Sequence, residues 1–182
     1  MGKCVTMHKV NQGSRPETSP HVNMVFWSIF VIIGVLLDFG TKYTAEHVLL
    51  YGQSIPVFEG FSWTLAYNPG SAFSFLADQG GWQRWFFIGI TIVIAVVLFI
   101  WIKRTTPVEK LLRFGLACVL VGAIGNLIDR VFLGHVIDFI HVYWGDRHFP
   151  IFNVADIFVT SGVGLIILSS FTEKKRKLSQ DS

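Results

Sequence analysis

The chain of 182 residues has the length of one domain, and it is apolar: 52% of its residues are hydrophobic, 15% are charged, and the mean hydropathy is +0.53. This composition excludes an ordinary soluble domain and predicts an integral membrane protein. The formal net charge of +3 forms no basic stripe on a polar fold, which argues against nucleic acid as a partner. The two cysteines, one in a polar tail and one in an apolar run, predict neither a disulfide nor a thiolate metal site.

Four apolar runs each approach the ~20 residues that a helix needs to cross a bilayer. The predicted spans are about 22–43, 82–102, 111–128 and 152–171. No small-residue cleavage site follows the first run, so we expect it to be a retained anchor and not a removable leader. The polar, aperiodic residues 1–21 predict a disordered cytoplasmic tail, and the basic residues 172–182 predict a second cytoplasmic tail.

The basic residues predict the orientation of the spans. Three precede the first span, four lie between the second and third spans, and four follow the fourth span, so 11 of the 15 lysines and arginines lie on one face. Cytoplasmic segments carry the excess of Lys and Arg. Both termini are therefore predicted to be cytoplasmic, and segments 44–81 and 131–151 to be on the outer face.

The first outer segment carries a strand pattern. Aromatic and apolar residues alternate with small or polar ones through Phe61–Tyr67, which is typical of a β-strand. Asn68–Gly70 predicts a turn, and Ala72–Phe75 a second short strand. The predicted fold is thus an integral membrane α-helical domain, residues 22–171, in which four transmembrane helices carry a small extracytoplasmic β-sheet cradle between helices 1 and 2.

Two carboxylates, Asp138 and Asp156, are the strongest candidates for chemistry. An ionised group near hydrocarbon is costly to bury, so acids at the ends of membrane helices need a reason. We expect Asp156 about one turn below the outer surface, with Asp138 folding back to meet it near Asn126, Arg130 and Asn153. Two close carboxylates share one proton and titrate as a unit. Such a pair can activate water for peptide hydrolysis while protonating the carbonyl oxygen.

Other polar residues are interpreted more simply. Asp38 and Lys42 stand one helical turn apart and predict an ion pair at the end of the first helix, which could also hold a substrate backbone. Asp129 and Arg130 are interpreted as an interfacial hydrogen-bonding pair that fixes the following loop. Gly122 is expected to allow close approach of another helix.

Three alternatives remain open on the residues alone. A proton-coupled transporter or channel subunit could use the same carboxylates as a relay, although the polar residues cluster at the outer end of the spans. A metal-dependent membrane hydrolase could use the outer-loop residues His135, Asp138, His141 and His148, whose spacing matches no ligand signature. A structural assembly factor would not need the two clustered carboxylates.

Four blocks of residues carry a resemblance to a known family. These blocks are Asp38 with Lys42; Asn68–Ser74 (NPGSAFS); Gly122–Arg130 (GAIGNLIDR) with Gly134–Phe139 (GHVIDF); and Phe152–Asp156 (FNVAD). In order and spacing the chain resembles the lipoprotein signal peptidases, also called signal peptidase II. The resemblance covers nearly everything from the first span to the fourth.

The resemblance implies a fold, an activity and a set of site residues. It implies four membrane helices, an outer sheet and a catalytic aspartate dyad at Asp138 and Asp156. The residues implied to shape the site or hold substrate are Asp38, Lys42, Asn68, Gly70, Gly122, Asn126, Arg130, Asn153 and Ala155.

The resemblance also implies a substrate and a location. The substrate would be a prolipoprotein whose lipobox cysteine carries a diacylglyceryl group, cut just before that cysteine without a metal or organic cofactor. The enzyme would lie in the bacterial inner membrane, in contact with membrane lipid, and be blocked by globomycin-type depsipeptides. We further hypothesise that the aromatic strand binds an extended substrate along its edge.

Overall fold

The computed structural model describes residues 20–70, 82–106 and 109–178, and within these ranges it describes side chains from residue 24 to residue 172. Four helices are present in the described ranges: α1 (Pro20–Val48), α2 (Trp82–Arg104), α3 (Lys110–Phe132) and α4 (Val154–Leu178). Each contains a segment long and apolar enough to cross a membrane. The prediction of four membrane helices is therefore confirmed.

The helices extend beyond the apolar runs that predict them. α1 continues to Val48, five residues past the predicted end, and α3 continues to Phe132. Polar side chains need not end a membrane helix: Asp129 of α3 pairs with Lys42 of α1, and Thr44 and His47 bond to carbonyls of α1 itself, so hydropathy underestimates both lengths. Most of the predicted N-terminal tail, residues 1–19, lies outside the described residues.

α3 is the central helix of the bundle. Its side chains Leu116, Ala117 and Val121 are fully buried. By contrast, Phe26 of α1 and Val93 of α2 face outwards and are 61% and 62% exposed. Exposed apolar side chains of this kind are expected where a helix faces lipid instead of water.

The outer sheet has four antiparallel strands in the order β1-β2-β3-β4. They are β1 (Ser54–Phe58), β2 (Phe61–Asn68), β3 (Val136–Trp144) and β4 (Arg147–His148). The predicted sheet and its aromatic strand, β2, are confirmed. The sheet also draws two strands from between α3 and α4, which the sequence prediction missed. The predicted strand Ala72–Phe75 falls outside the described residues.

The structure limits where the aromatic strand could bind substrate along its edge. β2 lies between β1 and β3, and its pairing with β1 extends from Phe61 to Thr64, so over these residues neither edge of β2 is free. An added peptide strand needs an unpaired edge. The aromatic side chains of β2 pack instead, with Trp63 against Phe139.

The sheet is fixed to the C-terminal end of α1 by a small apolar core. The buried residues of this core are Ala45, Leu49, Leu65, Ile137 and Phe139. Because successive side chains of a strand point to opposite faces, the packing of Ile137 and Phe139 into this core directs Asp138 away from it. The placement of Asp138 therefore follows from the apolar residues on either side of it.

Candidate active site

The segment before α4 is hydrogen-bonded to β3, and this brings the two predicted carboxylates together. The amide nitrogen of Ile140 donates to the carbonyl of Phe152 (2.8 Å), and the amide nitrogen of Phe152 donates back to Ile140 (3.0 Å). α4 begins two residues later, at Val154. The first turn of α4 therefore starts beside Asp138.

Asn153 connects the two carboxylates. Its side-chain amide donates to Asp138 Oδ1 (2.7 Å), Asn126 Oδ1 (3.1 Å) and the Ile137 carbonyl (3.2 Å). Its side-chain oxygen accepts from the amide nitrogen of Asp156 (3.0 Å), and its own amide nitrogen donates to Asp156 Oδ2 (3.1 Å). This reciprocal arrangement caps the N-terminus of α4. Asn153 is completely buried, so it fixes the relative position of both acids.

Asp156 is the accessible member of the pair. Its Oδ1 accepts a hydrogen bond from Asn126 Nδ2 (2.9 Å). The side chain is half-buried and lines a groove of about 380 Å³. The other lining residues are Phe149, Pro150, Phe152, Ile157, Thr160 and Ser161. A substrate approaching through this mostly apolar groove would meet the carboxylate directly.

Asp138 is the buried member, 3% exposed. The pKa of Asp138 is raised to about 7, chiefly by burial and also by the negative charge of Asp156, although the hydrogen bonds from Asn68 and Asn153 act in the opposite direction. Asn68 Nδ2 lies 3.3 Å from Asp138 Oδ2. Near neutral pH, Asp138 therefore exchanges its proton readily, which suits acid–base chemistry.

A second polar cluster lies behind the two acids. Lys42 Nζ contacts Asp38 Oδ2 (2.7 Å), Asp129 Oδ2 (2.9 Å) and Asn126 Oδ1 (3.0 Å). Asp38 Oδ1 accepts a hydrogen bond from the Ala155 amide nitrogen in the first turn of α4 (2.8 Å). Asp38 and Lys42 are each 1% exposed, so their contacts are within the protein. The predicted ion pair is confirmed, and it links α1, α3 and α4.

The interpretation of Asp129 and Arg130 is confirmed in part: Asp129 fixes the segment that follows α3, but the two side chains do not pair with each other. The Asp129 carboxylate binds Lys42 and accepts a hydrogen bond from the Ile137 amide nitrogen (3.2 Å). Adjacent residues on a helix point in different directions, so Asp129 and Arg130 cannot share one face. Arg130 instead places its guanidinium over the ring of Phe87, with the carbon of the group 5.5 Å from the ring centroid.

Two glycines of α3 bring the helices close enough for these contacts. A Cβ at Gly122 would overlap the carbonyl oxygen of Ala155, and one at Gly125 would come within 2.5 Å of Asp38 Oδ2. Small residues at such positions allow backbones to approach in a membrane. The closeness of α3 to both α1 and α4 therefore depends on them.

Gly70 lies in the turn after β2. It has a φ of +125°, and its amide nitrogen donates to Asn68 Oδ1 (3.0 Å). The positive φ favours glycine at this position. The turn orients the Asn68 side chain, whose amide nitrogen lies beside Asp138.

Arg84 is a residue near the site that the sequence prediction missed. Its guanidinium donates to the carbonyls of Arg130 (2.9 Å) and Val131 (2.6 Å) at the C-terminal end of α3. A cation is favourable at the carbonyl end of a helix. The available signal was its position, because a basic residue at the outer end of a span runs against the positive-inside pattern.

The four residues of the metal hypothesis do not come together. Asp138 contacts Asn68 and Asn153. The ring of His135 packs on that of Tyr67, with centroids 4.3 Å apart. His141 contacts His148 instead. In the part of the chain that the structure describes, no three His, Cys, Asp or Glu side chains could hold a metal ion together.

Comparison with known proteins gives one consistent family. The sequence profile of "Signal peptidase (SPase) II" matches residues 30–172. A "Lipoprotein signal peptidase" of Ectopseudomonas mendocina is 52% identical over 162 residues, which cover 88% of this chain and 95% of that protein. One of Acinetobacter baumannii is 42% identical, covering 90% of this chain and 92% of that protein.

A solved structure agrees with this assignment. A bacterial membrane enzyme superposes with a TM-score of 0.74 at 31% identity, covering 84% of this chain and 91% of that one. The agreement therefore extends over most of the fold of both chains. On these matches, the chain belongs to the signal peptidase II family of aspartic membrane proteases.

Proposed function

We propose that this protein removes signal peptides from prolipoproteins in the bacterial inner membrane. The supporting observation within the molecule is Asn153, whose amide and backbone hold Asp138 and Asp156 at one site. The lipoprotein signal peptidases named above match this chain over almost their full length. The substrate class is a diacylglyceryl-modified prolipoprotein, cut just before its lipidated cysteine.

Asp138 and Asp156 have different environments, and we assign them different roles. Asp138 is buried with a raised pKa, so it enters the reaction protonated and donates to the carbonyl oxygen of the scissile bond. Asp156 is accessible and lies in the first turn of α4, where the helix N-terminus favours negative charge. It takes the proton from a water molecule that attacks the carbonyl carbon.

The remaining predicted residues position the dyad. Asn126 donates to Asp156 and accepts from Asn153 and Lys42, so a single amide links the catalytic pair to the ion cluster. Asp38 binds the Ala155 amide nitrogen and thereby holds α4 against α1. Arg130 lies close enough to both acids for its charge to act on them, and we propose that it contacts the substrate backbone.

In this arrangement the groove beside Asp156 lies at the depth where a lipid-anchored substrate would present its scissile bond. The groove beside Asp156 opens at the start of α4, at the outer end of its membrane span. Both termini are proposed to be cytoplasmic and the dyad to face outwards. A lipid-anchored substrate could then enter sideways from the bilayer, and a globomycin-type depsipeptide would bind at the dyad and inhibit.

The test is cleavage of a diacylglyceryl-modified prolipoprotein by the purified full chain in detergent, with and without chelator. Asp138→Asn and Asp156→Asn are each expected to lower the rate by about 100-fold or more, the range for loss of a general acid or base. Asp146→Asn, in the outer turn after β3, is the matched control and is expected to retain full activity.

Three results would contradict the proposal. Robust cleavage by either folded dyad variant would exclude the two-acid mechanism. Loss of wild-type activity in chelator would instead favour the metal-dependent hydrolase. A folded wild-type chain that cuts no lipid-modified precursor would argue against the substrate class itself.

A further inference from the structure

A polar cluster on the outer sheet, away from the dyad, has no role in the proposed function. His141 of β3 and His148 of β4 face each other, with Nε2 of the first 3.1 Å from Nδ1 of the second. The ring centroids are 5.1 Å apart and the ring planes differ by 29°. The distance between the two nitrogens is about 2 Å shorter than the distance between the ring centroids. The rings therefore approach edge to edge, and each presents the edge that carries its nitrogen to the other.

The other nitrogen of His141 is held by hydroxyl groups. Nδ1 lies 3.3 Å from both Ser62 Oγ and Thr64 Oγ1, two residues of β2 that are 2% and 9% exposed. These hydroxyls also contact Ser54. A hydroxyl that accepts from Nδ1–H leaves Nε2 as the lone-pair nitrogen directed at His148. Hydrogen bonds of this kind orient histidines that bind metals.

We propose that His141 and His148 form a two-histidine binding site for a divalent transition cation such as Zn²⁺, Cu²⁺ or Ni²⁺. With metal–nitrogen bonds of about 2.0–2.1 Å, two nitrogens 3.1 Å apart subtend an angle of roughly 100° at the ion, between square-planar and tetrahedral values. The ion displaces the hydrogen bond between the rings and lies to one side of the line that joins the two nitrogens, so each ring turns towards it, and the Nδ1 proton of His148 moves to Nε2 of the same ring.

Water completes the coordination of the ion. In the described segments no third His, Cys, Asp or Glu joins the pair, so an affinity well below that of four-ligand structural zinc sites is expected. His148 is exposed, which gives the ion an open path from the outer face. By the general order of divalent affinities, Cu²⁺ should bind more tightly than Ni²⁺ or Zn²⁺.

Binding would cross-link the end of the sheet. β3 and β4 share only the register pairs of Tyr143 with His148 and Trp144 with Arg147. An ion held by one residue from each strand adds a bond across this short ladder. Because the ion binds the folded arrangement preferentially, it should raise the thermal unfolding midpoint of the full chain.

The experiment uses tag-free, chelator-washed protein in detergent, titrated with Cu²⁺ and followed by electron paramagnetic resonance and by thermal unfolding. We expect one copper per chain, with hyperfine splitting from two nitrogens and a raised unfolding midpoint. His148→Gln and His141→Gln should each weaken binding by about tenfold or more and lose the two-nitrogen pattern. Thr64→Val should weaken it less and keep the pattern.

His135→Gln and His47→Gln are the matched controls, since neither residue contacts the pair. Both should bind copper like the wild type. The proposal is overturned if the washed protein binds no copper at the two-nitrogen site, or if both pair variants bind as the wild type does; the two imidazoles would then share only a hydrogen bond. Prolipoprotein cleavage, assayed in parallel, reports on the dyad and not on this site.

Discussion

Asp138, the proposed catalytic acid, makes stability depend on pH. Burial raises the pKa of Asp138 from the usual 3.8 to about 7, so the folded state holds this proton where the unfolded chain has released it. Between about pH 4 and pH 7 the native state therefore binds more protons than the unfolded state, and the contribution of Asp138 to stability falls as the pH rises.

This sign leads to a prediction for Asp138→Asn. The variant cannot ionise, so its thermal unfolding midpoint should gain on that of the wild type as the pH is raised from 5 to 8, while cleavage is lost. Unfolding of both proteins in detergent at several pH values is the measurement. Asp146→Asn, in an exposed turn, should show no such trend. If the midpoint of Asp138→Asn minus that of the wild type fell with rising pH, the pKa assignment would be contradicted.

A second prediction at the scale of a single residue concerns Lys42. It is the cation between the buried carboxylates Asp38 and Asp129, at 2.7 and 2.9 Å. Lys42→Met would leave two buried carboxylates without their cation, and breaking a buried pair in this way costs about 3–5 kcal/mol. Chemical denaturation should show this loss. Lys103→Met, which removes an exposed cation at the end of α2, should change little.

A rescue experiment separates the charge effect from simple loss of packing. Adding Asp38→Asn and Asp129→Asn to Lys42→Met removes the unpaired charges, so part of the lost stability should return. If the triple variant were no more stable than Lys42→Met, the cost would not be electrostatic.

Among the elements, the crossing of α3 and α4 sets the geometry of the site. A Cβ at Gly122 would overlap the Ala155 carbonyl and come within 2.5 Å of Val159 Cγ2. α4 would have to move, and it carries Asp156 with its cap. Displacements on the order of 1 Å from productive geometry can cost about 100-fold in rate.

Gly122→Ala is therefore expected to reduce the cleavage rate by about 100-fold, although it adds only one methyl group. Gly164→Ala is the matched control, because a Cβ there, also within a membrane span, has nothing within 4 Å. The measurement is the rate of prolipoprotein cleavage by the two variants in the same detergent. Equal activity would show that the site tolerates the displacement of α4.

The sheet shows where sequence-based prediction failed at this scale. β2 is recognisable because one face is apolar and the other polar. β3 is VIDFIHVYW, an almost continuous apolar run, and its first four residues are all buried. A strand covered on both faces loses the alternation that identifies strands. Its β-branched and aromatic content was the remaining signal.

For the whole molecule, the spans and the two acids were predictable, and the partners of the polar residues were not. Crossing lipid imposes a length and an apolar composition that any window of sequence displays. The approach of Asp129 to Lys42 joins residues far apart in the chain, so only the assembled helices reveal it. For the same reason Asn153 could be flagged as polar and buried, but not as the connection between the acids.

The topology gives the last prediction. In a chain with Cys4→Ser and Cys118→Ser, a membrane-impermeant maleimide applied to intact spheroplasts should label Glu59→Cys, in the turn between β1 and β2. It should label Thr106→Cys, between α2 and α3, only after the membrane is broken, since the positive-inside pattern assigns that loop to the cytoplasm. The reverse labelling would contradict the proposed orientation.

The shared amide of Asn153 has a consequence for biogenesis. Its nitrogen donates to Asn126 of α3 and Asp138 of β3, its oxygen accepts from the Asp156 amide nitrogen of α4, and Asn126 also binds Lys42 of α1. The dyad is therefore complete only when the last span has inserted and docked. If the proposed dyad is the active site, a nascent chain with only three helices in the bilayer cannot hydrolyse peptide bonds, so the incomplete enzyme would not cut its own membrane segments during synthesis.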